Sequence, residues 1–409
     1  MTELDEIKKK AVFAKNKKAP LGTDLDLDNY STNASPHSYF DDLTVFSKEE
    51  QQTLRMSGVE PDAHNRAGTF VMMDNSVVHN TVSQDGVEVL STDDALEKHS
   101  WLKDYWWKAV AVDTDKYTAH TELEGKHLGY FIRVLPGTKT IRPLQSCLYM
   151  SQDNISQNVH NIIIVEEGAQ LDIITGCAVS RRRVQRGAHI GVSEFYVKRN
   201  AKLSFTMIHN WAPDIAVRPR TGVIVEENGT FLNNYASLQP VRSLQAYPTT
   251  KLIGRNAIAR YHNILLAPPR SELDTGARVY LLGQDSRTEI ISRAITTGGN
   301  ICARGHIIGI ASGVKGHLEC EGLILKEGGF IRAVPELEGM NPDVELSHEA
   351  AVGKIAKEVI MYLQARGLTE KEATATIVSG FLDVKIEGLP AQLQTELDKV
   401  IAASKDSMF

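Results

Sequence analysis

Val225–Phe231 reads VEENGTF, and its pattern recurs along the middle of the chain. Val165–Leu171 (VEEGAQL), Val197–Leu203 (VKRNAKL) and Leu325–Ile331 (LKEGGFI) keep the same order. Each has an apolar residue, two polar ones, a Gly or Asn, a small residue or another Gly, one free position and a closing apolar residue. Gly168, Asn200 and Asn228 are 32 and 28 residues apart, and Asn256 in Leu252–Ala259 (LIGRNAIA) falls 28 further on. Leu282–Ile290 (LGQDSRTEI) is a degraded copy. Gly and Asn tolerate positive φ, so each marks a tight turn between two short strands. Self-similarity at this period, with strand-like alternation around each turn, predicts a coiled β solenoid. Such a wall positions chemistry without specifying it.

Three regions follow from the pattern. Residues 1–127 read as an N-terminal helical and mixed α/β region. Residues 1–20 form a charged amphipathic helix, and 21–65 are polar and turn-rich with helical turns around Lys48–Met56. Strands at Thr69–Met73 and Val77–Val82 flank Asp74-Asn75-Ser76. A helix over Asp94–Trp107, opened by Thr92 or Asp93, carries Trp101, Tyr105, Trp106 and Trp107 as a packing face. Residues 128–335 are the β-helix core. Residues 336–409 form a helical domain. Ser347 caps a helix over about 349–366, with Ala351, Ile355, Val359 and Leu363 on one face and Gly367 as its stop. Thr369 and Glu372 form the capping box of a second helix ending near Leu382, and Pro390 opens a third over about 391–404. The tail either caps an exposed strand edge or docks a partner.

The composition is that of an ordinary folded protein, with 42% apolar and 23% charged residues among 409. A net charge of −6 gives no reason to expect nucleic-acid binding. The basic run Lys8–Lys10, Lys15, Lys17 and Lys18 reads as a solvated helix face. No apolar run reaches the ~20 residues that span a bilayer, and no secretory signal is recognisable, so a cytoplasmic protein is expected. The four cysteines, Cys147, Cys177, Cys302 and Cys320, form no CxxC, and disulfides are not expected. Cys147 and Cys302 read as core residues. Walker A, GxGxxG, GxSxG and HExxH motifs are all absent, which leaves no signature of a nucleotide hydrolase, dehydrogenase, serine hydrolase or zinc protease.

Three constellations could carry chemistry. Gly176-Cys177 follows the strand Leu171–Ile174 and precedes Arg181, Arg182, Arg183 and Arg186, cations that would lower a thiol's pKa if they faced it. In Gly316-His317-Leu318-Glu319-Cys320-Glu321, alternation sets Cys320 with Leu318 on the apolar side or toward a partner chain, opposite Glu319 and Glu321. Asp343–Glu349 (DVELSHE) places Asp343, Glu345, His348 and Glu349 within seven residues. Capping and solvation are one reading of that cluster, and iron ligation by carboxylate and imidazole is the other.

The segment Gly316–Phe381, with GHLECEGLILKEGG, AVPELEG, ELSHEAAVGKIAKE, YLQARGLTEKEA and IVSGFL, resembles the SufB/SufD family of iron–sulfur cluster assembly proteins. SGVEPDAHNRAGTF, DNSVVHN and WLKDYWWKAVAVDTDKYTA resemble its compact archaeal and bacterial SufB-like members, and with GAQLDIITGC the resemblance covers about 55 to 409. It implies a right-handed parallel β-helix between helical N- and C-terminal parts. It also implies pairing through the β-helices, as a homodimer or with a SufD-like paralogue, and docking of SufC-like ABC ATPase subunits on the C-terminal helices. The chain itself would then be a scaffold and not an enzyme. Its cargo would be a transient iron–sulfur cluster, with [4Fe–4S] among the candidate nuclearities, passed to apo iron–sulfur proteins.

By the same resemblance, Cys177 in ITGC matches the family cysteine that handles incoming sulfur, and His348 and Glu349 in SHEA match residues near the assembly interface. Cys320 matches a cysteine of many compact members. A further cysteine of larger SufB proteins falls near Gly329 here, a departure from the pattern. The expectation is therefore that Cys320 supplies the thiolate, with His348, Glu349 or Asp343 completing the site across a homodimer interface. Two alternatives stand beside it: a SufD-like partner that supports assembly without holding the cluster, and a β-helix carbohydrate-active protein.

Overall fold

The structure, a computed structural model, describes residues 3–382 together with Gln394, Thr395 and Asp398. Its backbone turns where the repeat places them. Gly168 (φ 69°), Asn200 (57°), Asn228 (53°), Asn256 (56°) and Asp285 (60°) all take the left-handed conformation, so the degraded copy keeps the turn with Asp in place of Asn. Each turn carries the chain from one sheet to another facing it. Beyond these turns, Gln170–Val179, Lys202–Asn210, Thr230–Ser237, Ile258–Ala267, Arg287–Thr296, Val314–Ile324 and Val344–Gly353 stack in parallel in a ten-stranded first sheet. Ile155–Val165, Gly187–Val197, Glu272–Leu281, Asn300–Gly309 and Phe330–Gly339 belong to the eleven-stranded second sheet. The result is a parallel β-helix, as the resemblance implied.

The turns also bond to one another. Asn228 donates its amide to Asn200 Oδ1 at 3.0 Å, and Asn256 donates to Asn228 Oδ1 at 3.1 Å. One copy of the pattern sits elsewhere. LKEGGFI, with Gly328 at φ 97°, joins Val314–Ile324 to Phe330–Gly339, so it runs from the first sheet back to the second, opposite to the others. It stacks there on the Gly298-Gly299 turn, where a Cβ on Gly329 would strike the Gly299 carbonyl. The missing member of the series is Gly313 (φ 72°), between Asn300–Gly309 and Val314–Ile324.

Parallel pairing puts equivalent residues of successive rungs in columns, and alternate residues face the interior. The inward columns hold the main core. Phe195 packs on Phe205 at 4.7 Å between ring centroids, and Phe231 packs on Tyr261 at 5.8 Å. The N-terminal region covers parts of the outward faces. Helix α1 (Glu3–Ala14) buries Ile7, Ala11 and Ala14 in a cluster with Trp106, Trp107 and the outward Ile162, Ile164 and Val192. Helix α2 (Lys48–Met56) opens on a Ser47/Glu50 capping box. The hairpin Gly68–Met73/Ser76–Val82 pairs with Leu144–Met150 and closes that end of the first sheet, so the rungs begin before residue 128.

The helix expected over Asp94–Trp107 is shorter. Helix α3 (Thr92–Lys98) is capped by Ser91, and a 3-10 turn follows at Ser100–Asp104. The cause is a buried carboxylate: Glu194 accepts backbone N–H bonds from Trp107 (2.6 Å) and Val110 (3.1 Å), which draws the chain into a loop around it. Helix α4 (Lys116–Glu124) follows, and Trp106 and Trp107 are packing residues, as read.

At the other end the boundary moves. Residues 344–353, expected to enter a helix capped by Ser347, form the last strand, and helix α5 spans Lys357–Gln364. The core therefore runs past 335 to Gly353. Val344, Leu346, His348, Ala350 and Val352 alternate as a strand does, and pairing with Val314–Ile324 prevails over the overlapping helical spacing. Gly367 (φ 97°) is still the stop, and helix α6 (Glu370–Leu382) has the Thr369/Glu372 capping box. The third helix, about 391–404, lies outside the described residues apart from Gln394, Thr395 and Asp398. Helix α6 buries Val378 and Leu382 on the outward face of the first sheet, against Ile264, Leu266 and Ile295.

The turn series can be tested at its middle member. Replacing Asn228 with Ala removes two side-chain bonds and leaves a Cβ residue at φ 53°, at a cost of about 1–2 kcal/mol, whereas Asn228→Gly keeps the backbone unstrained. The expected order of thermal midpoints by circular dichroism is wild type, then Gly, with Ala lowest.

Candidate functional site

Cys177 belongs to the inward run of the strand Gln170–Val179, between Thr175 and Val179, and is 1% exposed. The neighbouring arginines do not activate it. Arg181 donates to Asn210 Oδ1, the Trp211 carbonyl and Gln239 Oε1, Arg183 approaches Glu50, and Arg186 donates to the Asn29 carbonyl. These arginines are held by other partners, while the loop's Val184 and the Cys177 sulfur both pack into the core. Burial pushes the Cys177 thiol well above its usual range. Its neighbours are His189 Nε2 at 4.0 Å and Met207 Sδ at 3.7 Å. The His189 ring lies 5.1 Å from that of Trp211, and Trp211 lies 5.4 Å from His209, which meets the Tyr235 hydroxyl at 2.7 Å. Burial holds His189 down at about 3 and His209 well below its usual value, so this interior is uncharged at neutral pH.

From here a column of inward residues leads along the solenoid. Thr175, Met207, Tyr235, Asn263, Ser292 and Cys320 occupy one register position on six successive rungs of the first sheet. Asn263 donates to Ser292 Oγ at 3.2 Å. Beside the column lies a cavity of about 60 Å³ lined by Met207, Tyr235, Asn263 and Thr275 among others. Cys177 stands two residues beyond Thr175, so five strand steps, about 24 Å, separate the two cysteines. This one column is thus largely polar, within an interior that is otherwise mainly apolar.

Cys320 is 3% exposed and shares the inward side with Leu318, as alternation required, and burial pushes its thiol up to about 11. Glu319 and Glu321 face outward and pair with Arg293 at 2.6 and 3.5 Å, below Phe381 of α6. His348 shares register with the inward Leu318, one rung on from Cys320 and in the adjoining column. Glu349 is paired with Glu319 and belongs to the outward side. Asp343 lies in the turn before the last strand, accepting from Ser312 Oγ at 2.6 Å. The four expected ligands are therefore divided: Cys320 and His348 inside, Glu349 outside, Asp343 at the corner. Among the described residues, no three His, Cys, Asp or Glu side chains gather closely enough to hold a metal ion.

The end of the solenoid is uncovered. Phe330–Gly339 and Val344–Gly353 terminate the two sheets, and among the described residues nothing pairs with their far edges. Phe330, Met340 and Val352 are 53, 63 and 41% exposed there, and His348 is exposed although its column is interior. Cys147 is a core residue, its thiol raised to about 12. Cys302 is not: it pairs in register with Asp274 on the outward side of the second sheet and is half-buried. The sequence reading passed over His189, Gln157, Met207 and Tyr235. Counting back by twos from the inward Phe195 would have reached His189.

Two measurements follow. In the native protein, iodoacetamide is expected to modify half-buried Cys302 first and the buried Cys147, Cys177 and Cys320 far more slowly, with all four reacting fully on denaturation, as peptide-resolved mass spectrometry would show. His189, His209 and His262 are held neutral by burial, His262 at about 4, while the unfolded chain takes up their protons near pH 6.5. Stability is therefore retained above about 6.5 and lost as pH falls below it, on the order of 1 kcal/mol per histidine at pH 5.5. Thermal midpoints at pH 7.5 and 5.5 should show this, with a smaller drop for His262→Gln.

Known proteins share this arrangement of sequence. The profile of the SUF system FeS cluster assembly family, SufBD core domain, matches residues 148–381. An iron–sulfur cluster assembly SufBD family protein of Methanothermobacter thermautotrophicus (strain Winter) is 47% identical over 405 residues, 98% of each chain. One of Archaeoglobus fulgidus is 49% identical over 360 residues, 88% of this chain and 96% of its own. The iron–sulfur cluster assembly protein SufB of Bacillus subtilis is 28% identical over 386 residues, 88% of this chain and 82% of its own. Together with the β-helix, these matches make the chain a member of the SufBD family of iron–sulfur cluster assembly proteins.

Proposed function

We propose that this chain is the scaffold subunit on which a nascent iron–sulfur cluster is built and from which it is handed to apo acceptor proteins. The observation that carries the reading is the placement of Cys320 and His348 on inward columns of the last two rungs, at an uncovered end of the solenoid. Thiolate and imidazole both ligate iron, and one thiolate with weaker partners makes a site that can release what it holds. A second copy, meeting the first at the uncovered strands, would bring a second Cys320 and His348 close by. It would also cover Phe330, Met340 and Val352. Glu349 and Asp343, which face away within one chain, would reach such a site only from the second copy. A SufD-like paralogue could take the same place.

Cys177 is the proposed point of sulfur intake, and the polar inward column joins it to Cys320. The chain acts in this reading without catalysing ATP hydrolysis. That task belongs to a SufC-like ABC ATPase docked on the C-terminal helices, and α5 supports this. None of its residues is buried, and Val359, Met361 and Tyr362 are 46, 65 and 57% exposed. Among the described residues no helix is long and apolar enough to cross a membrane, in keeping with action in the cytoplasm. The supporting, SufD-like role is the second reading, and the presence of both Cys177 and Cys320 favours the scaffold over it.

The test is iron and acid-labile sulfide per chain, with a visible spectrum, on protein co-expressed with its cognate ATPase and purified without oxygen. Stoichiometric iron and sulfide are expected. Cys320→Ser should lose both while dimerisation and ATPase docking persist. A colourless complex with the ATPase would establish the supporting role instead, and a Cys320→Ser variant that keeps its iron and sulfide would remove Cys320 as the ligand.

A further inference from the structure

The surroundings of Cys177 determine which nitrogen of His189 carries the proton. Gln157 Nε2 lies 2.8 Å from the Asp74 carbonyl and 3.4 Å from the Tyr149 carbonyl. Both are acceptors only, so the amide nitrogen must face them, and Gln157 Oε1 is left facing His189 Nδ1 at 3.0 Å. An amide oxygen accepts, so Nδ1 bears the hydrogen. In a neutral imidazole the other nitrogen is then bare, and Nε2 is the one 4.0 Å from Cys177 Sγ. Gly191 keeps that lone pair clear, since a Cβ there would stand 3.1 Å from Nε2. Asp74 holds its carbonyl in place from a strained turn (φ 51°), with its carboxylate accepting from Ser151 N at 2.7 Å.

We propose that His189 is the general base for Cys177 in sulfur uptake, and that Gln157 is the positioning residue that fixes its tautomer. This rests on the reading of Cys177 as the point of sulfur intake. In the step, the Cys177 S–H proton passes to His189 Nε2 as Sγ attacks the outer sulfur of a hydropersulfide, R–S–SH. A new S–S bond forms at Cys177, the old S–S bond breaks, and the R–S⁻ leaving group takes the proton back from His189. The products are Cys177–S–SH and R–SH, with no net oxidation. The pair starts uncharged. Around it, Tyr130, Tyr235 and Cys147 are held protonated and His209 unprotonated by burial, so none of these four changes charge near neutral pH. The His37–Asp74 ion pair lies beyond Gln157, on the far side of the Asp74 carbonyl. The proton therefore moves within the dyad, and the rate of attack should not depend on pH where an isolated thiol's would.

Two probes test this, each read at Cys177 by peptide-resolved mass spectrometry. Methyl methanethiosulfonate, a small neutral electrophile, reports thiol reactivity from pH 6 to 9. Glutathione persulfide under anaerobic conditions reports sulfur uptake itself. Wild type should show a flat pH profile and form the Cys177 persulfide. His189→Gln should react on the order of 10²-fold more slowly at pH 7, within the usual range for a lost general base, and its rate should rise about tenfold per pH unit as solvent-made thiolate takes over. Gln157→Leu, which leaves the tautomer unfixed, should fall between, and keeps the test open should His189→Gln not fold. Equal rates and equal slopes in wild type and either folded variant would overturn the base and leave sulfur intake at Cys177 standing. A wild-type protein that forms no Cys177 persulfide would remove the intake reading, and the base with it.

Discussion

Every feature of this molecule depends on parallel strands pairing in unbroken register from rung to rung. Tyr235 can sit between Met207 and Asn263, and Ser292 between Asn263 and Cys320, only because no residue is gained or lost along the column. The left-handed turns at Asn200, Asn228 and Asn256 enforce that register from outside. A slip of one residue would turn each inward side chain outward, bringing Glu319 and Glu321 into the core in place of Leu318 and Cys320. The register thus excludes alternatives by the cost of burying charge, beyond any single contact.

The same rule sorts the chemistry. Inward columns are dry, so their titratable groups are neutral: thiols are raised, imidazoles lowered. Outward columns are wet or covered by helices, and there charges pair, as Arg293 does with Glu319 and Glu321. Cys302 and Cys320 belong to opposite environments although they are 18 positions apart in the chain. What separates them is the parity of their positions in two strands.

That parity explains what could be read from the sequence. The turn spacing gave the solenoid, and alternation placed Cys320 beside Leu318 before any coordinates. Local spacing misled where two periods overlapped: Ala351, Ile355, Val359 and Leu363 satisfy a helix, yet residues 344–353 also alternate, and the unpaired edge of Val314–Ile324 decides between them. The arginines after Cys177 misled for a different reason. Sequence proximity says nothing about where a loop's side chains point, and Arg181 finds its partners on Asn210, Trp211 and Gln239. His189 was hidden because it lies 12 residues from Cys177 and reaches it across the solenoid from the facing sheet.

The raised thiols bear on how a scaffold could let go of its cargo. A metal binds thiolate, so it must displace a proton, and each unit of thiol pKa above ambient pH weakens apparent binding about tenfold. With Cys320 at about 11, iron at pH 7 would compete with a proton held far more firmly than on a thiol of the usual 8.5. If Cys320 is the ligand, burial makes the site reluctant in the single chain and stronger once a second cation or copy lies close. The uncovered last rungs then matter twice. They would admit a second copy, and they leave His348 exposed where an inward column meets solvent.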